Sequence, residues 1–127
     1  MCNYLLMIIN GGKFIVDIKN VIKVVDVCKI NNVPVKDKSM IGVISDDGDL
    51  IPIIDIRPFL DINIDFLKKD NYQILIISID NKKTGIIIDD ALDIIEIDEI
   101  ISKKPIKSII NNDEILIFLN IEKIIKS

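Results

Sequence analysis

The chain has 127 residues and a formal charge of -4, with 50% of its residues hydrophobic and 28% charged. That length and composition suit one compact domain with a sizeable core, not a disordered chain. There are 34 Ile and 15 Lys but one Arg, no His and no Trp, so this chain alone can build no Ser-His or Cys-His pair and no His-ligated metal site. The acidic balance and the lone Arg also argue against nucleic acid as a partner.

Mean hydropathy is high, at +0.42. Even so, the longest apolar runs, Leu50 to Ile54, Ile74 to Ile77 and Ile115 to Leu119, fall far short of the roughly 20 residues of a spanning helix. Tyr4 to Ile9 is too short for a signal core and follows no basic stretch. The expectation is a cytoplasmic protein without direct membrane insertion, in which Cys2 and Cys28 are free, inert thiols.

In chain order, β-branched runs bounded by Gly, Asn, Asp and Lys predict strands over 4–10, 13–18, 41–45, 50–56, 73–80, 84–89, 94–97 and 114–119. Asn10-Gly11-Gly12 and Asp47-Gly48 carry the residues a tight hairpin needs, and Asn81-Lys82 is a weaker turn. Pro52 within a strand implies an edge or a bulge. Helical signals are short. Asn20 can cap a turn over Val21 to Val25, Pro58 can open a brief helix through Phe59 and Leu60, and Asn120 can cap Ile121 to Lys126.

The chain also repeats itself. A shift of 70 residues lays Leu5-Leu6-Met7 over Leu75-Ile76-Ile77, Lys13 over Lys83, Asn20 over Asp90, and Val24-Val25-Asp26 over Ile94-Ile95-Glu96. A shift of 65 lays Asp49 to Ile56 over Glu114 to Ile121. Each half then reads hairpin, capped turn, linker, strand, short helix. Two such halves predict an all-β fold of two small curled sheets or barrels, since closure removes aggregation-prone edges.

With those pieces in order, the sequence resembles the CheW-like family of chemotaxis coupling proteins. The matching segments are Tyr4 to Ile9, Lys13 to Ile18, Val21 to Val24, Ile41 to Ile44, Ile51 to Arg57, Gly85 to Asp89 and Leu119 to Ile125. The resemblance implies a single domain over residues 1–127 with two pseudo-symmetric, intertwined five-stranded β-barrel subdomains and short helices. Their spans would be about 13–70 and 71–127, the N-terminal strand joining the latter. It implies a non-enzymatic adaptor without cofactor. Its partners would be a CheA-type histidine kinase regulatory domain and the cytoplasmic hairpin of a methyl-accepting chemoreceptor.

Six residues are singled out as interaction residues: Val21, Val24, Gly42, Ser45, Asp47 and Arg57. Val21 stands where the family places a receptor-contacting valine, and plain packing of a short helix is the alternative. Gly42 lies beside the interface turn and allows a close backbone approach. The family's Asn-x-Arg-Gly turn reads Ser45-Asp46-Asp47-Gly48 here, so the motif arginine is replaced by Asp47 and its charge is reversed. That reversal implies repulsion of carboxylates and divergent receptor coupling. Arg57 reads either as an interface contact or as a structural partner of Asp55 or Asp61.

Asp46, Asp47 and Asp49 could in principle hold Ca²⁺ or Mg²⁺, but the spacing is not that of an EF-hand and a solvated hairpin tip is favoured. Of Asp89, Asp90 and Asp93, Asp90 reads as a helix cap and Asp93 as solvated. The competing functional reading is a small-ligand or metal-binding β-barrel sensor.

Overall fold

The computed structural model describes residues 1–26, 40–56, 60 and 72–126. Ten strands lie in it: β1 (Cys2–Ile9), β2 (Gly12–Asp17), β3 (Val21–Asp26), β4 (Met40–Asp46), β5 (Asp49–Ile54), β6 (Gln73–Ile79), β7 (Lys82–Ile88), β8 (Asp90–Ile97), β9 (Ile106–Asn111) and β10 (Glu114–Leu119). One helix, α1 (Ile121–Lys126), follows. Asn120 caps it as expected, its side-chain oxygen accepting from the Lys123 N–H at 3.3 Å.

The strands form two five-stranded sheets, ordered β8-β1-β2-β10-β9 and β3-β6-β7-β5-β4. The expected boundary near residue 70 does not divide them. Hairpin β6–β7, expected in the C-terminal unit, completes the sheet of β3, β4 and β5. Strand β2, expected in the N-terminal unit, joins β1, β8, β9 and β10. The two halves have exchanged their opening hairpins, and that exchange is how the subdomains intertwine.

The reason lies in the apolar runs of those hairpins, whose strands are oily on both faces. Leu5, Met7, Ile9, Phe14 and Val16 point one way and meet Leu75, Ile77, Ile79, Ile86 and Ile88 in a shared central core. The alternate residues point the other way. Tyr4 and Ile15 join Leu116 and Phe118 inside the first sheet, and Ile74, Ile76 and Ile87 join Ile44, Ile51 and Ile53 inside the second. Each exchanged hairpin therefore belongs to two cores at once.

The repeat is visible at atomic detail. Asn10-Gly11, Asp47-Gly48, Asp80-Asn81 and Asn112-Asp113 all turn with φ between 49° and 83°, as two-residue hairpins of the primed type require. The third turn is thus Asp80-Asn81, one residue earlier than Asn81-Lys82. The two parallel ladders, Ile53 with Gly85 and Phe118 with Ile15, fall at equivalent positions. So do the bulges that put Ile22 and Leu92 out of register.

Several local readings are corrected. Val21 to Val25 is strand, not helix: the β-branched Val21, Val24 and Val25 find partners in β6, and the capped turn is the preceding 3₁₀ turn Ile18–Asn20, with Asp17 accepting from the Lys19 N–H at 3.0 Å. Asp90 caps no helix; it opens β8 opposite Ile8. Strand β9 carries weak apolar alternation and exists through its pairing with β10. Pro52 is not on an edge strand, but its ladder to β7 begins only at Ile53, so its missing N–H goes unnoticed there. Cys28 and the start of the Pro58 helix lie outside the described residues, while Cys2 is a half-buried free thiol.

The barrels are not closed by hydrogen bonds. β3 and β4 end one sheet and β8 and β9 the other, which leaves a seam in each. Both interiors are nonetheless filled by the protein's own side chains. No helix among the described residues is long and apolar enough to cross a membrane.

Gly85 sits at the first parallel contact, where an added Cβ would meet Ile53 Cδ1 and come within 2.8 Å of the branched Ile74 Cγ2. Gly85→Ala is expected to cost about 1–3 kcal/mol through overpacking, read from urea unfolding midpoints. An unchanged midpoint would show that the contact relaxes freely.

Candidate interaction surface

The second sheet closes its seam with charge. Lys23, projecting from edge strand β3, places its ammonium 2.7 Å from Asp46 Oδ2 and 3.1 Å from Asp47 Oδ2 in the turn after edge strand β4. The two edges of the sheet are thus brought together by one lysine. On the other flank of the same turn, Lys83 of β7 pairs with Asp49 at 2.9 Å. Its repeat-mate is present in the first sheet, where Lys13 pairs with Glu114.

This geometry revises the reading of Asp47. It is well exposed, its side chain keeping 79% of its accessible surface, yet its charge is compensated by Lys23. Asp47 is therefore half of a clasp and not a free repulsive charge. Its left-handed backbone, with φ of 50°, suits Asp in the first central position of the turn. The Asp carboxylates are pulled apart by two lysines, and among the described residues no three acidic, Cys or His side chains converge as for a metal.

The other candidates separate by role. Val21 and Val24 are half-buried and pack against the shared core. The exposed apolar neighbour is Ile22, pushed outward by the bulge. Gly42 is buried in β4 opposite Ile53, just after a bulge at Ile41. Ser45 is exposed and faces Leu50, which keeps 74% of its surface in water. Arg57 lies outside the described residues. The surface thus joins Ser45, Leu50 and Asp47 to Lys23 and Ile22 across the seam.

Lys23, Lys83 and Leu50 were not among the sequence candidates. A signal for Lys83 existed, since the repeat lays Lys13 over Lys83 and Asp49 over Glu114, which are both halves of both ion pairs. Lys23 carried no such signal, because its repeat-mate is Asp93.

The Lys23 ammonium is held above its ordinary pKa of 10.5, first by its bond to Asp46 and then by that to Asp47. Asp49 does the same for Lys83. These side chains are solvated, so each pair is a modest contributor.

The molecule thus presents two curled β-sheets, a charged hairpin turn at one seam and exposed aliphatic side chains beside it. The CheW-like domain model matches residues 3–127, and the chain belongs to the CheW-like domain family. Among solved structures it is similar to the scaffolding protein TtCheW from Thermoanaerobacter tengcongensis, with a TM-score of 0.78 and 22% identity over 94% of this chain and 88% of that one. No curated protein matches.

A lysine pKa raised on folding supplies stability that is complete below the unfolded value of 10.5 and is lost as pH rises through the folded value. Melting temperature is expected to fall above about pH 10.5, and to fall less in Lys23→Met/Lys83→Met. Thermal melts from pH 8 upward check this; parallel curves for the two proteins would remove the clasp from the stability of the fold.

Proposed function

We propose that this chain is a non-enzymatic chemotaxis adaptor, which couples a CheA-type histidine kinase regulatory domain to the cytoplasmic hairpin of a chemoreceptor. The family assignment supports the adaptor role. One structural observation carries the location: Lys23 ties β3, the strand of Val21 and Val24, to the β4–β5 turn of Ser45 and Asp47. Four of the interaction residues therefore lie on two elements joined by one cation. Ile22 and Leu50 supply apolar area beside them.

In this reading Asp47 redirects coupling by changing which charge the turn offers to a partner. Lys23 satisfies part of that charge from within. A partner that approaches the turn meets a net acidic tip from Asp46, Asp47 and Asp49, and its own docking surface carries fewer carboxylates than a partner suited to arginine.

The test follows from the clasp. Asp47→Arg alone sets two cations against each other across the seam and is expected to lower both stability and partner binding. Lys23→Glu/Asp47→Arg restores the pair with reversed polarity and is expected to recover the fold. In a reconstituted kinase and receptor mixture, wild type and the double variant are expected to differ in kinase coupling by at least about tenfold in affinity for one partner. Failure of wild type and double variant alike to bind either partner would dismiss the adaptor reading.

A further inference from the structure

We propose that the open seam of the first sheet is a binding groove for an extended, cationic segment of a partner protein, independent of the Lys23 surface. The second sheet's seam is spanned by Lys23 with Asp46 and Asp47. The first has Asp93 at the place of Lys23 and Asn111 and Asn112 at the places of the two Asp, so no clasp forms. What remains is a groove of about 290 Å³ between edge strand β9 and the connection after β8.

Five isoleucines line it, alongside Asp98, Glu99, Lys107 and Asn111. Ile97, Ile100 and Ile109 line it, with Ile101 and Ile110 at its mouth, 77% and 79% exposed. A cluster of that kind left in water favours an apolar guest. The wall is fixed. The Ile100 N–H donates to the buried Tyr4 hydroxyl at 2.9 Å, and Tyr4 is itself braced edge-on against Phe118. Asn120 holds the same connection further on, donating from its amide side chain to the Ser102 carbonyl at 3.3 Å and from its backbone to Pro105 at 2.8 Å. A groove with a pinned wall loses little entropy when it is filled.

Its other side is an available strand edge. β3, β4 and β8 each carry a register bulge against their neighbour, a device that blunts edges. β9 pairs with β10 over six consecutive residues without one. Among the described residues no strand lies on its outer side. An extended segment can therefore add to β9 through main-chain hydrogen bonds while its alternate side chains enter the groove.

Charge names the segment. Asp98 and Glu99 stand exposed on the wall, and neither forms an ion pair among the described residues. Lys107, the one cation lining the groove, reaches instead to the Ile101 carbonyl at 3.4 Å. Aliphatic residues alternating with Lys or Arg satisfy both surfaces. The acidic Asp46–Asp49 turn of a second copy does not, because it would meet Asp98 and Glu99 with like charge.

The test uses the full chain, ¹⁵N-labelled, titrated with a capped pentapeptide of alternating lysine and valine, and with its glutamate-valine counterpart. The expected result is saturable amide shifts confined to β9 and residues 97–101 with the lysine peptide and none with the other. Asp98→Lys/Glu99→Lys, at exposed sites, is expected to weaken binding by about tenfold with the remaining spectrum unchanged. Absence of shifts, shifts centred on the Asp46–Asp49 turn, or unchanged affinity in the reversed variant would each overturn the proposal.

Discussion

The structure depends on one packing event, the meeting of hairpin β1–β2 with hairpin β6–β7. Met7, Ile9, Phe14 and Val16 on one side and Leu75, Ile77, Ile86 and Ile88 on the other fill the shared core. Neither hairpin can be withdrawn without opening two cores, because the reverse faces of the same strands line the separate sheet interiors. Burial of aliphatic surface at roughly 25 cal/mol per Å² makes such double use the dominant stabilising term in an isoleucine-rich chain. That packing positions both flanks of the clasped seam. Strand β3 hangs on β6 and the β4–β5 turn hangs on β7 through β5, so the distance from Lys23 to Asp46 and Asp47 is set by how the exchanged hairpin is seated.

Pseudo-symmetry gives the molecule two seams of the same architecture, and point differences give them different chemistry. Where the second sheet has Lys23, Asp46 and Asp47, the first has Asp93, Asn111 and Asn112. One seam is therefore clasped by an internal ion pair, while the other is open and lined by isoleucines together with Asp98 and Glu99. A duplicated fold can in this way present two unlike surfaces without any change of backbone plan.

Much of the fold was legible in the sequence. β-Branched runs, hairpin dipeptides and the repeat together specified an all-β protein in two related halves, and the ordered motifs placed it in its family. Two strands escaped. Val21 to Asp26 reads equally well as a capped helical turn over so short a span, and only its ladder with β6 decides for strand. Strand β9 has Lys, Ser and Asn among its six residues and is recruited by β10. The hairpin exchange was illegible for a different reason. Local patterns say which residues form a hairpin, not which sheet receives it.

The site was less legible than the fold. Asp47 was found because its turn departs from a known motif, but its partner Lys23 lies 24 residues away in sequence on the opposite edge of the sheet. Val21 drew notice through its match to a family position and Val24 as its apolar neighbour, and the structure packs both against the core while the bulge turns Ile22 outward. No local pattern encodes that bulge. The exchanged hairpins make the two sheets one folding unit. Native-state hydrogen exchange across β1, β2, β6 and β7 tests it most directly. The account predicts that core amides of all four strands open with one common free energy, equal to that of global unfolding and with the same denaturant dependence. Separate opening of the β3–β7 sheet, at a lower free energy and with the first sheet still protected, would contradict it.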